Sequence, residues 1–345
     1  MRRLREGLEG SVGMSKLSAG KRSGLESMSD ARGVIGAAAL DQRGLLKKMI
    51  AKALNGGDVT QEMMVEFKCH VTDALTKHAS AMLLDVEYGL PATKCINGKG
   101  LLLAYEKSGY DVTGPEKIPS LTEGWSVMRL KEHGATGIKI LLFYNPDERA
   151  DYNEQKKAWV ERIGAECQAL DIPLFLELLA YDVHGEDEAG LAYAKRKPQI
   201  VRDSIVEFTK DRYAADVLKL EAPVVMSRVS GTKAFTGEEA YTREEAMELF
   251  RSTAACTDKP IVYLSAGTTS EVFLEMLELA LEAGVKFHGV LCGRATWQDG
   301  VPEYVKGGVE ALDQWLNTVG AQNVSNVNKV LEKAHPWFQA RSVQG

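Results

Sequence analysis

The strongest constraint in this chain is a rhythm of eight short apolar runs, each followed by a longer amphipathic stretch. The runs occupy residues 34–40 (VIGAAAL), 81–84, 101–104, 137–144 (GIKILLFY), 173–179 (PLFLELL), 215–221 (ADVLKLE), 260–265 (PIVYLS) and 287–292 (FHGVLC). Several are nearly continuously apolar rather than alternating, the pattern of strands covered on both faces in a parallel sheet. The stretches between them read as helices over 44–54, 60–77, 122–133, 153–170, 197–210, 242–255, 269–283 and 301–319. Gly134, Gly284 and Gly320 stand where helix C-termini want a left-handed residue. Thr242 with Glu245 has the spacing of a capping box.

Eight strands alternating with helices predict an α/β fold, a (β/α)₈ barrel in one domain. The competitor, an open doubly wound sheet, normally carries a glycine-rich nucleotide loop after its first strand. Asp41-Gln42-Arg43-Gly44 is not such a loop. The barrel is expected over residues 21–335, with a disordered extension at 1–20 and a tail at 336–345. Residues 181–195 and 224–241 read as longer loops.

The net charge of −6 argues against nucleic-acid or membrane-surface partners, which select a basic excess. No run reaches the ~18 apolar residues of a membrane span. The basic, Gly/Ser-rich N-terminus lacks the apolar core of a signal peptide, and Met14 is an alternative start. The five cysteines, Cys69, Cys95, Cys167, Cys256 and Cys292, form no CxxC pair. Their number and spacing suit a reducing compartment, hence the cytoplasm.

Barrel enzymes place their chemistry at the C-terminal ends of strands. Asp41, Asp85, Glu106, Lys139, Glu177, Lys219, Glu221 and Arg294 all fall near such ends. A carboxylate there, Asp85 for example, is equally at home capping the next helix. Lys139, Glu177 and Lys219 differ, because each is flanked on both sides by apolar residues inside a strand. A charge in that setting is costly unless paired or used.

Two lysines and a glutamate on strands four, five and six point to carbonyl chemistry through a Schiff base. A nucleophilic lysine must be neutral, whereas a solvated one titrates near ~10.4. Burial and a neighbouring cation both lower that value. Charge alone allows Lys219 as nucleophile beside Lys139, or the reverse. Glu177 between them suits proton transfer. The rival, carbonyl polarisation by a metal, needs converging ligands. Of six histidines, only His184 sits on a plausible loop, while His70, His78 and His133 read as helical, His288 begins a strand and His335 is in the tail.

Strand seven ends in Ser265-Ala266-Gly267, and strand eight in Gly293-Arg294. Small residues after these strands let backbone N–H groups approach a phosphate, and an arginine adds a bidentate partner. Gln42, Arg43 and Lys47 after strand one are candidates for a second anion site.

The chain resembles the class I tagatose 1,6-bisphosphate aldolases of bacterial galactose and lactose catabolism. The resemblance runs from about residue 33 to residue 333. It is carried by ALDQRG (39–44), EYGLPA (87–92), GLLLAYEKSGYD (100–111), WVERIGAEC (159–167), DVLKLEAPV (216–224), YLSAG (263–267) and GVLCGRATW (289–297). It implies a metal-independent, cofactor-free lyase with the Schiff base on Lys219 and Glu177 as acid/base. Lys139 and Asp41 would support the site and touch substrate hydroxyls. Ser265, Gly267, Gly293 and Arg294 would hold a phosphate of the ketose. Products would be dihydroxyacetone phosphate and glyceraldehyde 3-phosphate. Loops 183–190 and 224–241 look distinctive, which leaves a related substrate, 6-deoxy-6-sulfofructose 1-phosphate, as an alternative. A sugar-phosphate-sensing regulator is the alternative of another class. A homo-oligomer, dimer or tetramer, is expected through helices 153–170 or 301–319.

Overall fold

The computed structural model describes residues 17–108, 114, 116–340 and 343. Within them, eight parallel strands close into a barrel in sequence order. They are β1 (Ile35–Leu40), β2 (Ala81–Leu84), β3 (Gly100–Ala104), β4 (Gly137–Phe143), β5 (Leu174–Leu179), β6 (Val217–Leu220), β7 (Ile261–Leu264) and β8 (Gly289–Cys292). Pairing of Ile35 with Gly289 and Ala38 with Cys292 closes the ring. The expected barrel is therefore the observed one.

The helices are α1 (Ala19–Ser27), α2 (Gly44–Ala53), α3 (Gln61–Thr76), α4 (Val127–Glu132), α5 (Ala150–Ala169), α6 (Leu191–Phe208), α7 (Arg243–Ala254), α8 (Ser270–Glu282), α9 (Arg294–Trp297), α10 (Gly300–Trp315) and α11 (Ala321–Leu331). None is long and apolar enough to cross a membrane. The capping box at Thr242 is present, with Glu245 completing it.

The strands are buried on both faces, as their near-continuous apolar runs require. Alternate residues point to the barrel axis. Ala37, Ala39, Leu83, Leu102, Ala104, Phe175, Val217, Val262 and Leu291 form the inner cluster. The other parity, including Ala38, Leu40, Ile138, Ile140 and Leu176, packs beneath the helices.

Several helix bounds differ from expectation. The helix expected over 122–133 starts only after the Ser126 cap. Residues 121–122 instead bind the end of the third strand: Leu121 bridges Glu106, and Thr122 Oγ1 donates to the Glu106 carbonyl. Helix α6 starts at Leu191, inside the expected loop 181–195, and carries Pro198 in its body. The helix expected over 301–319 is interrupted, because Gly308 adopts φ +67 and Gly307 also leaves helical geometry.

The N-terminal end of the barrel is plugged from both chain ends. Leu25 and Met28 share the inner cluster with Trp337, Ala340 and Val343. Thus Ala19 and Gly20, within the stretch expected to be disordered, are helical, and Trp337 and Ala340 of the expected tail pack into the core. Residues 1–16 lie outside the described residues, as do 109–111 of the GLLLAYEKSGYD segment. Met28 is pressed onto the strand roots, since a Cβ on Gly100 would lie 2.4 Å from its Cγ. Lys21 anchors α1 through an ion pair of 2.9 Å with Asp216.

Candidate active site

Strand alternation decides which way the three strand charges point. Glu177 lies between the inward residues Phe175 and Leu179, and Lys219 follows inward Val217 by two. Lys139 precedes inward Leu141 by two. All three therefore enter the barrel near its C-terminal mouth. Glu177 and Lys219 are directly opposite in the β5–β6 register. One oxygen, Glu177 Oε2, lies 2.8 Å from the Lys219 Nζ and 2.8 Å from the Lys139 Nζ.

Lys139 is fully buried and meets three carboxylates. Its Nζ lies 2.8 Å from Asp41, 2.7 Å from Glu106 and 2.8 Å from Glu177. Burial alone would discharge it, but these carboxylates outweigh that and hold its pKa well above the usual lysine value. Asp41 is likewise held well below the carboxylate range, because Lys139 and Lys219 outweigh its burial. Glu106 moves the other way: burial pushes it up against the pull of Lys139 and Arg43. The cluster thus contains a fixed cation, Lys139, and one carboxylate shared with the second lysine.

Two further buried pairs brace the cluster. Lys68 on α3 is fully buried and donates to the carbonyls of Leu40 and Gln42, on either side of Asp41. It also pairs with Asp85, whose other oxygen accepts from Glu87 and Tyr88 N–H. Asp85 is therefore an internal tie and not a helix cap. Glu221 accepts from the Ala180 N–H at 2.6 Å and pairs with Lys197 of α6, tying the ends of the Glu177 and Lys219 strands together. Sequence reasoning missed Lys68 and Lys197. The available signal was a lysine in phase with a buried helical stripe, as Lys68 is with Met64, Phe67, Val71 and Leu75.

The turns after β7 and β8 meet. Ala266 and Gly267 have φ of +47 and +77. The φ of Gly267 favours glycine, and a Cβ there would fall 2.3 Å from the Arg294 guanidinium, which would have to move aside. Gly293 lies against β1, where a Cβ would sit 3.1 Å from the Ala39 carbonyl and 3.3 Å from Gln42 Nε2. Ser265, Ala266, Gly267, Gly293 and Arg294 thus surround one corner of the mouth.

The residues after β1 are placed differently from one another. Gln42 is buried, with Nε2 3.3 Å from Asp41. Arg43 is buried and engaged within the protein: it donates to Glu87 at 3.0 Å, to Thr122 at 3.4 Å and to the Glu106 carbonyl at 2.7 Å. Gln42 Oε1, Arg43 Nε and Glu106 Oε2 are buried and lack a hydrogen-bond partner among the described residues. Lys47 is exposed on α2. Among the described residues, no three His, Cys, Asp or Glu side chains are grouped to hold a metal ion.

The family model for DeoC/LacD aldolases matches residues 35–299. A tagatose 1,6-diphosphate aldolase of Listeria monocytogenes is 49% identical over 94% of this chain and 96% of its own. A second, from Enterococcus faecalis, is 48% identical over 95% and 98%. The Lactococcus lactis enzyme of that name is 46% identical over 92% and 97%. Among solved structures, the fructose-bisphosphate aldolase of Plasmodium falciparum superposes with a TM-score of 0.67 at 15% identity, covering 93% of this chain and 97% of that one. That last likeness concerns the fold.

Proposed function

Because the chain belongs to the DeoC/LacD family of aldolases, we propose that it cleaves tagatose 1,6-bisphosphate through a Schiff base on Lys219. The observation that carries the mechanism is the single Glu177 oxygen 2.8 Å from both lysines.

Neutral Lys219 attacks the ketose carbonyl carbon, and loss of water leaves an iminium. Glu177 can take the Lys219 proton along their hydrogen bond and return it to the departing hydroxyl. Glu177, again a carboxylate, then takes the C4 hydroxyl proton as the C3–C4 bond breaks and its electron pair moves into the iminium to give an enamine. Glyceraldehyde 3-phosphate departs. Glu177 returns that proton to C3, and water hydrolyses the resulting iminium to release dihydroxyacetone phosphate and free Lys219. Lys139, kept cationic, holds Asp41, Glu106 and Glu177 in place and offsets their charge.

Gln42 Oε1 and Glu106 Oε2, buried acceptors without a partner among the described residues, suit the hydroxyl donors of a ketose. Ser265, Ala266, Gly267, Gly293 and Arg294 suit the phosphate nearest the carbonyl. We assign the reaction to the cytoplasm, in keeping with five free cysteines. A homo-oligomer also belongs to this proposal: Val319 is 46% exposed, surface that a second copy can cover.

The test is borohydride reduction in the presence of dihydroxyacetone phosphate, followed by peptide mass spectrometry. An adduct on Lys219 supports the mechanism. An adduct on Lys139, or none, overturns it.

A further inference from the structure

Across the mouth from the β7 and β8 turns lies a cavity of about 470 Å³ above β1, β3 and β4. Its floor includes Glu106 and Leu141, and its wall carries Lys117, Lys107, Lys47 and Phe143. The cavity therefore begins at the lysine–carboxylate cluster and leads away from the Ser265–Arg294 corner.

Its charges do not cancel internally. Glu106 is committed to Lys139, and Glu87 to Arg43. Lys107 is paired with Glu123 at the exposed rim. Lys47 and Lys117 have no carboxylate within ion-pair distance among the described residues, so the cavity carries a cationic excess.

Lys117 is the most constrained of these cations. Its backbone adopts φ +47, a left-handed conformation that residues with a β-carbon rarely take. Its ammonium lies 4.5 Å from the Phe143 ring centroid and 5.4 Å from that of Tyr181. Tyr181 is itself fixed: its hydroxyl accepts from buried Lys156 at 2.7 Å and donates to Glu148 at 3.0 Å. Phe143 extends the inward row of β4 that begins at Lys139. A cation is thus held by aromatic faces at the end of that row.

We propose that Lys117, with Lys47 at the rim, forms the subsite for the anionic group on the far end of the ketose and sets the preference for substrates charged at both ends. This rests on the aldolase reading above and names what that reading leaves open once Arg43, which also lines this cavity, is held by Glu87, Thr122 and the Glu106 carbonyl. An extended sugar has one phosphate at the Ser265–Arg294 corner, its carbonyl at Lys219 and its far end in this cavity. The aromatic seat keeps Lys117 desolvated on one side and oriented toward the cavity, so little side-chain freedom is lost when an anion arrives.

The experiment compares kcat/KM on a ketose 1,6-bisphosphate and on the matching ketose 1-phosphate, for the wild type, Lys117→Met and Lys117→Arg. Lys117→Met is expected to lower the bisphosphate-to-monophosphate ratio roughly 10- to 100-fold, mainly through KM, as for a lost charged hydrogen bond. Lys117→Arg is expected to restore most of it. An unchanged ratio, or equal losses on both substrates, overturns the proposal. Calorimetric binding of a hexitol 1,6-bisphosphate to the same proteins reads the subsite without turnover. If that binding depends on Lys117 while no Lys219 adduct forms, the subsite stands and the mechanism falls. If the adduct forms and binding ignores Lys117, the reverse holds.

Discussion

Glu177 and Lys219 stand opposite one another in the β5–β6 register, and their side chains meet at 2.8 Å on the barrel axis side of the sheet. The same Glu177 oxygen is held by Lys139. A proton leaving Lys219 therefore has an acceptor already in contact, next to a cation that does not titrate in the working range.

Lys219→Ala is expected to abolish the borohydride adduct and lower cleavage by more than about 10³-fold, since the covalent route is lost. Steady-state assay with mass spectrometry checks both. Retained cleavage at near wild-type rate would remove Lys219 from the mechanism.

Glu177→Gln keeps the shape of the side chain and removes its proton acceptor. We expect kcat to fall roughly 10²- to 10⁴-fold, the range for a lost general acid/base. Lys139→Met in the same assay separates the roles, because Lys139 acts through the carboxylates it holds.

Lys139→Met leaves Asp41 and Glu106 buried beside each other without their cation. The cost expected for breaking such a buried cluster is about 3–5 kcal/mol, read as a lower urea midpoint. The sign of its pH dependence follows from the raised lysine pKa. In the wild type, the stability due to this charge is complete below the unfolded value near ~10.4 and is lost as pH rises through the higher folded value.

His288 gives a pH dependence at the acid end. It is buried at the root of β8, its Nδ1 accepts from the Ile261 N–H, and burial aided by His335 pushes its pKa from 6.5 down to about 4. Between those values the unfolded chain binds a proton that the folded protein refuses. Stability should therefore fall as pH drops from about 6.5 to about 4, by up to roughly 3 kcal/mol. Unfolding curves at pH 7.5, 6 and 5 check the slope, which should flatten in His288→Gln.

Gly267→Ala tests the phosphate corner. Its Cβ would fall on the Arg294 guanidinium, and its φ of +77 disfavours alanine. We expect KM for phosphorylated substrates to rise about tenfold, with the Lys219 adduct still forming at high substrate concentration. An unchanged KM would mean that Arg294 does not hold the phosphate.

The barrel was legible because its signal is local. Near-continuous apolar runs such as 173–179 mark strands covered on both faces, and eight of them separated by helices leave few ways to close a sheet. The positions of Lys139, Glu177 and Lys219 were legible for the same reason, since each interrupts an apolar run. Helix bounds were less so. Thr122 reads as a helix start, but its hydroxyl is taken by the Glu106 carbonyl, a partner that local sequence does not reveal.

The sequence by itself determined the number of strands, their order and which charges lie in them, because side-chain parity and burial on two faces are properties of short segments. Only the tertiary structure decided the partners. Asp41 meets Lys139 across 98 residues of chain, Lys68 reaches from a helix to clamp the backbone around Asp41, and Arg43 turns to Glu87 and Thr122. Those meetings depend on the stagger of the closed barrel and on long side chains that seek the nearest opposite charge once water is excluded. That exclusion is a property of the whole core.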